Sequence, residues 1–337
     1  MNKPEALSAT QSPKLSVVIG SHNARSSVRE CLSALEKQRQ GLPDQEVEII
    51  IVDNSTDGTT ELIRIAMEEQ GRGRGDGPAP NLKLVEAPAT ALIPELWGIG
   101  VRQSSGAIIA TTTSHFTPRP DWFEQILRAH ESSHAGHAGH AGIGGAIEND
   151  DSSGLVDWAV YFCRYSSFMP PFVEKAAREI AADNASYKRS ALAQWRQSGE
   201  AGFWETVVHA GFRKQGLSLL LSPAIVVTHK RSFALFDFIR QRFQHGRQYG
   251  GARAERISTG RKWVYALLSP LIPLLFLARI SRLVVTRRAH IGKFLLSLPI
   301  LSLFLSGWAM GELWGYLLGE GGDPDVKETR IGNQGRE

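Results

Sequence analysis

The stretch "EVEIIIVDNSTDGTTELIRIAMEE", residues 46–69, contains one complete structural unit. Its first half is dense in β-branched residues and runs straight into Asp53, so it reads as a buried strand. Ser55-Thr56-Asp57-Gly58 then supplies turn and cap residues, and a helix follows.

The same unit recurs on both sides. Upstream, "LSVVIG" (15–20) is a short apolar strand closing on Gly20, and "SSVRECLSALEKQ" places Val28, Cys31, Leu32 and Leu35 at helical spacing. Downstream, the Gly/Pro loop "GRGRGDGPAPN" (71–81) leads to a strand "LKLVEAP", a helix over 93–104 and a fourth strand "AIIATTT". Apolar strands alternating with helices predict an α/β fold, a mainly parallel sheet with helices on both faces. Such sheets bind ligands beyond the C-terminal ends of their strands. Ser21-His22-Asn23, Asp53-Asn54 and Thr113-Ser114-His115 all follow strand ends and are expected to line one crevice.

"GAIIATTTSHFTPRPDWFEQI" (106–126) reads as strand, loop and helix, with hydroxyls and His115 at the turn and no carboxylate before Asp121. The repeat "HAGHAGHAG" (134–142) has neither carboxylate nor cysteine beside it and reads as a surface loop before the strand "GIGGAIEN". "FVEKAAREIAADNASYKRSALAQW" is expected to form a helix, a break at Asp183-Asn184 and a second helix. Another helix carries Glu205 and His209 one turn apart. "LSLLLSPAIVVTHKRS" suggests two short strands ending at His229, and "FALFDFIRQRFQHGRQYG" a long amphipathic helix with Arg240, Arg242 and Arg247 on its polar side.

The chain has 337 residues and a net charge of +4. Its two cysteines, Cys31 and Cys163, make no disulfide framework, and a reducing compartment is the simpler reading. Residues 1–14 lack the apolar core of a secretory signal and read as a disordered lead-in, which keeps the soluble part in the cytoplasm. The Lys and Arg residues gather near an apolar C-terminal region, which favours a membrane surface over nucleic acid as partner. "WVYALLSPLIPLLFLA" (263–278) is short for a span and contains Pro270 and Pro273, whereas "FLLSLPILSLFLSGWAMGELWGYLL" (294–318) is long enough despite Glu312. A two-span hairpin would put the basic segment "RISRLVVTRRAHIGK" outside, against the positive-inside tendency. The first segment is therefore expected to lie in the interface or re-enter, and the second to cross. The alternative is a buried helical pair in a soluble protein. The expected divisions are a lead-in (1–14), a globular domain (15–250), membrane-associated helices (251–319) and a polar tail (320–337).

"SVVIGSHNA", "IIIVDNSTDGT" and "SSGAIIATTTSHFTPRPDWFE" together resemble family 2 glycosyltransferases of the GT-A fold, whose common forms read SVVIPTYN, VVDDGSTDGT and a G-x-Y-I-x-x-x-D-x-D stretch followed by P-x-W. The resemblance covers roughly residues 15–250; "DNASYKRSAL" and "GFWET" resemble later blocks of the family. It implies an inverting transfer from a sugar attached to a nucleoside diphosphate. Asp53 matches the position that hydrogen-bonds the nucleobase, its alternative role being a helix cap, while Asp57 is read as a cap only. Ser21 and Asn23 would frame the nucleoside. Glu205 falls where the family often has an acidic residue and is the candidate general base toward the acceptor hydroxyl. His229 falls where such proteins often place a metal or phosphate contact.

The family's D-x-D aligns with Thr113-Ser114-His115, which would then belong to the donor site. Divalent Mn²⁺ or Mg²⁺ requires anionic oxygens, and hydroxyls do not replace them, so no tightly bound cofactor is expected. Three outcomes stay open. Cations such as His115, Lys230, Arg231, Arg242 and Arg247 replace the metal, or Glu205 and His229 recruit one, or the domain has lost turnover. The segment 240–250 resembles the Q-x-x-R-W motif of polymerising members only loosely, which favours single-sugar transfer. The implied partners are a nucleotide-sugar donor and a lipid-linked or envelope-glycan acceptor at a membrane, with the catalytic domain cytoplasmic. The competing reading is a degenerate domain acting as a membrane assembly partner in polysaccharide synthesis or export.

Overall fold

The computed structural model describes residues 12–41, 46–72, 81–132 and 139–320. The expectations for residues 1–11, most of the 71–81 loop, most of the "HAGHAGHAG" repeat and the tail after 320 lie outside the described residues.

Four parallel strands form the first half of the sheet: β1 (Leu15–Ser21), β2 (Val47–Asp53), β3 (Leu82–Glu86) and β4 (Ile108–Thr113), in the order β3-β2-β1-β4. Every residue of β1 and β2 is buried. Side-chain alternation sorts them between two layers. Val17, Ile19, Ile49 and Ile51 pack with α1 (Val28–Arg39) and α2 (Thr59–Arg72), whereas Val18 meets Trp97 and Val101 of α3 (Ile93–Gln103) and Ile50 and Val52 meet its Leu96. Helices thus cover both faces, as the alternation of apolar strands predicted.

The second half is mixed. After β5 (Phe116–Pro118) and α4 (Trp122–Ser132) come β6 (Gly142–Asn149), α5 (Leu155–Tyr165), β7 (Lys175–Ala177), β8 (Ala185–Lys188), α6 (Ala193–Gln197), α7 (Glu205–Lys214) and β9 (Leu219–His229). The sheet continues β4-β8-β6-β9-β5, with β7 also paired to β9. β8 runs antiparallel to both β4 and β6.

Three expectations are corrected here. Residues 172–195 do not form two helices. Ala-, Glu- and Lys-rich as they are, they contribute β7, a 3-10 turn at Ala182–Asn184, β8 and the short α6. Pairing on both sides of β8 outweighs local helix propensity. Residues 219–229 are one strand, not two. Pro223 has no N–H for the ladder, and the pairing with β6 jumps from Gly145↔Ser222 to Ala146↔Val226, a bulge within a continuous strand. The first apolar segment is also longer than read: helix covers Thr259–Arg287, 29 residues.

That stretch comprises α9 (Thr259–Leu268), a 3-10 turn at Ser269–Leu271 and α10 (Ile272–Arg287), with Pro270 and Pro273 at the first turns of the latter two. It follows α8 (Leu235–Ala254) and precedes α11 (Ile291–Leu318). α8 and α11 approach backbone to backbone. A Cβ on Gly311 would come within 1.9 Å of the Phe243 carbonyl oxygen, and one on Gly315 within 2.2 Å of that of Arg247. Only glycine permits this contact.

Candidate functional site

Strand register brings the predicted turns together. Ser21 is level with Asp53 on β2, and Gly20 with Thr113 on β4. With strands about 4.8 Å apart, Asp53 and Thr113 lie about 10 Å from each other across the C-terminal edge.

On the β2 side, Asp53 is 1% exposed. Its carboxylate accepts from the Ser55 hydroxyl (2.7 Å), the Ser55 N–H (3.3 Å) and the Thr60 hydroxyl (2.6 Å). It therefore ties the turn to the first turn of α2. A carboxylate retains further lone pairs for a ligand donor. Asp57 caps α2 through the Thr59 N–H at 3.0 Å, as read. Asn23, at φ +49°, accepts from the Thr56 N–H at 2.9 Å and so fixes the same loop. Asn54, expected beside Asp53 at the strand end, donates to the carbonyls of Pro88, Ala89 and Ala91 (3.3, 3.3 and 2.7 Å), pinning the loop between β3 and α3.

On the β4 side, the Ser114 hydroxyl bonds that of Ser21 at 3.2 Å. The Thr113 hydroxyl has no side-chain partner among the described residues. His115 has both ring nitrogens engaged: Nε2 lies 3.1 Å from the His22 carbonyl, so it donates, and Nδ1 lies 3.4 Å from the Ser27 hydroxyl. Burial, reinforced by the nearby Arg231 charge, pushes its pKa down to about 3. In the ligand-free chain His115 is thus neutral.

His229 sits opposite Phe116 in the β5–β9 pair, 2% exposed, with Nδ1 3.3 Å from Asn149 Oδ1. The rings of Phe116, Tyr165 and Phe233 surround it. Burial, then the charges of Arg164 and Arg231, hold it well below the usual histidine range.

The start of α7 carries acid. Glu205 opens α7 and has no side-chain partner among the described residues. Burial, then the neighbouring Asp183 and Glu179, pushes its carboxyl up to about 8. Asp183 is also raised by burial, against the opposing influence of Arg164 and of the Tyr165 hydroxyl, which donates to it at 3.2 Å. The loop before Glu205 hangs from α3. The Phe203 N–H donates to the Pro94 carbonyl (2.7 Å), and Arg102 donates to the carbonyls of Glu200 and Ala201 (both 2.9 Å). Trp97 of the same helix donates to the Thr112 carbonyl at 2.7 Å, next to Thr113.

The remaining expected cations divide. Lys230 is paired with Asp150 (2.8 Å) and Glu30 (3.2 Å). Arg242 lies over the Trp308 ring at 4.4 Å, within the α8–α11 interface, and Arg247 donates to the Gly319 carbonyl at 3.3 Å. Both arginines therefore serve the helix pair. Arg231 and Arg164 are the cations whose charges act on Asp183, His115 and His229. Sequence reading missed Asp183, Arg164 and Tyr165. The break at Asp183-Asn184 was the available signal for the first; α5, which carries the others, was not recognised.

A hard divalent ion does not fit positions 113–115, which offer two hydroxyls and a neutral imidazole with both nitrogens occupied. Among the described residues, no group of three His, Cys, Asp or Glu side chains is arranged to hold a metal. Glu205 and His229 thus form no part of such a set.

The glycosyl transferase family 2 model matches residues 16–193, more than half of the chain. Glycosyltransferase AglE of Haloferax volcanii is 29% identical over 114 residues, a match covering 34% of this chain and 34% of that protein. The chain thus spans about a third of the length of that relative. Among solved structures, the mannosyltransferase PcManGT from Pyrobaculum calidifontis, in complex with GDP-Man and Mn²⁺, superposes with a TM-score of 0.52 at 17% identity, covering 90% of this chain and 88% of that one. S. aureus TarS 1–349 in complex with UDP-GlcNAc gives 0.45 at 14% identity, over 66% of this chain and 59% of that one. The likeness to PcManGT establishes a shared fold.

Proposed function

Because the chain belongs to glycosyl transferase family 2, we infer that it moves a single sugar from a nucleotide-sugar donor to a lipid-linked or envelope-glycan acceptor at a membrane. The observations that carry this reading are the register that brings Ser21, Asp53 and Thr113 to the C-terminal edge of β2, β1 and β4, and the raised carboxyl of Glu205 at the start of α7. The nucleoside lies between Asp53 and Ser21, with Asn23 holding the Asp53 loop, and the diphosphate extends toward Thr113 and Ser114. The GDP-Man bound by the mannosyltransferase that shares this fold supports a nucleotide sugar as the donor class.

Glu205, once ionised, takes the proton from the acceptor hydroxyl as that oxygen attacks the anomeric carbon. The bond from anomeric carbon to phosphate oxygen breaks, and its electron pair leaves with the nucleoside diphosphate. Attack opposite the leaving group inverts the anomeric centre. The guanidinium groups of Arg164 and Arg231 offset the charge developing on the diphosphate, since positions 113–115 do not fit a divalent ion.

Residues 15–250 form the catalytic domain in this reading, on the cytoplasmic side, and 251–319 attach it to the membrane. Two helices, Thr259–Arg287 and Ile291–Leu318, are long and apolar enough for membrane contact. The test is thermal shift of the detergent-solubilised protein with a panel of nucleotides and nucleotide sugars, followed by transfer and hydrolysis assays with and without Mn²⁺. Stabilisation by one nucleotide and turnover without added metal are expected. The loss of carboxylates at 113–115 favours one competing reading, a degenerate domain acting as an assembly partner in polysaccharide synthesis or export. Absence of a shift with every nucleotide would favour it.

A further inference from the structure

We propose that α9, α10 and α11 do not cross a bilayer but lie flat on an anionic one, as a docking surface carried by the catalytic domain. This rests on the membrane reading above and deepens it by fixing the geometry and the lipid class.

The first observation is where the hairpin is fastened. A two-span hairpin needs its turn on the far side of the membrane. Here the α10–α11 turn is bound to the globular domain: the Arg287 guanidinium donates to the carbonyls of Ser166, Ser167 and Met169. His290 packs on the Trp158 ring of α5 (4.8 Å), and Phe294 on that of Phe162 (5.2 Å). The other end of the hairpin is held by α8, through the glycine contacts and through Arg247 on the Gly319 carbonyl. Both ends are therefore on the domain's side.

The second observation is how α11 divides. Its inward face carries Ser297, Gly311, Glu312, Gly315 and Tyr316, with Glu312 accepting from Trp308 Nε1 and the Tyr316 hydroxyl, both at 3.0 Å. α8 runs alongside this face, from the Phe238–Phe304 ring contact to the approach of Gly251 and Glu320. Were α11 to stand across the hydrocarbon, the Arg- and Gln-rich α8 would be drawn in with it, with no water to solvate it. The outward face is apolar: Leu295, Leu296, Leu303, Met310, Trp314 and Leu317 are all exposed, at helical spacing. Leu267, Leu271, Leu274 and Leu275 extend the exposed apolar surface along α9 and α10.

Charge identifies the occupant. From Ile257 to Gly311 there is no Asp or Glu and there are seven Lys or Arg. Arg261, Arg279, Arg282 and Arg288 are exposed around the apolar face. An apolar helical face rimmed by cations alone fits an anionic headgroup layer, into which it sinks by about 5–10 Å. The basic segment 279–293 then stays on the catalytic side, which removes the conflict with the positive-inside tendency.

The test adds full-length protein from detergent to sealed vesicles of phosphatidylcholine, with or without phosphatidylglycerol. Binding is read by flotation. Topology is read by a membrane-impermeant maleimide on Arg288→Cys and Glu61→Cys, each measured as labelling above the parent protein. Expected are tighter binding to the anionic vesicles, weakened about tenfold or more by Arg279→Glu with Arg282→Glu, and equal labelling of positions 288 and 61 before detergent is added. Labelling of one position only until detergent opens the vesicles would overturn the in-plane geometry and leave the membrane reading intact. Equal binding to both vesicle types would overturn the anionic preference. Failure to bind either would overturn the membrane reading itself.

Discussion

Glu205 is the residue on which chemistry and electrostatics meet. As the proposed base, with a pKa near 8, it is largely protonated at neutral pH, so transfer should accelerate as pH rises toward about 8 and then level off. Glu205→Gln should lower the rate by about 10²–10⁴-fold, remove that pH dependence and leave the nucleotide-induced thermal shift in place. The same group makes a stability statement. Its folded pKa lies above the unfolded value of 4.5, so folding takes up a proton and stability declines as pH rises from the unfolded pKa through about 8. Glu205→Gln should accordingly raise the melting temperature relative to the parent at pH 8 but not at pH 4. Asp53 behaves differently. Asp53→Ala leaves the Ser55 and Thr60 hydroxyls without their acceptor and should cost about 1–3 kcal/mol even without nucleotide, measurable by denaturant unfolding. The proposed roles of Asp53 and Glu205 came from the family resemblance, while their places, at a strand end and on a helix, were legible in the sequence. The neutrality of His115 was not, because it arises from Ser27, His22 and Arg231, which the chain brings to it from elsewhere.

At the scale of elements, the first four strands were readable because each is a local run followed by its own helix. β8 was not. Its four residues become a strand only because β4 and β6 leave a slot between them, and a pairing of that range has no local signature. Asn184, immediately before β8, holds the joint: its amide nitrogen donates to the carbonyls of Ala146 (2.8 Å) and Ile225 (3.1 Å), and its oxygen accepts from Trp122 (2.9 Å). These are the two sides of the β6–β9 bulge. Asn184→Ala should strand buried polar groups at this point and cost about 3 kcal/mol in equilibrium unfolding. Pro223 was legible as a breaker, but a breaker in sequence became a bulge in space, since the strand resumes its pairing at Val226.

For the whole molecule, the α8–α11 contact joins the globular domain to the apolar helices. Gly311→Ala would place a methyl group against the Phe243 carbonyl, and the helices must part. The variant should show a lower melting temperature and faster proteolysis within 255–290, with the nucleotide shift retained. Composition made the apolar character of these helices plain, whereas their attachment to the domain depended on glycines whose partners lie far back in the chain. A further consequence comes from α3, which is joined to the Thr112 carbonyl at one point and to the loop before Glu205 at two others. In the proposed reading the sugar nucleotide enters beside the first attachment, and the second carries its effect to the loop before Glu205. Substrate addition should then be ordered, with the nucleotide sugar first, so that a dead-end acceptor mimic inhibits uncompetitively against the donor.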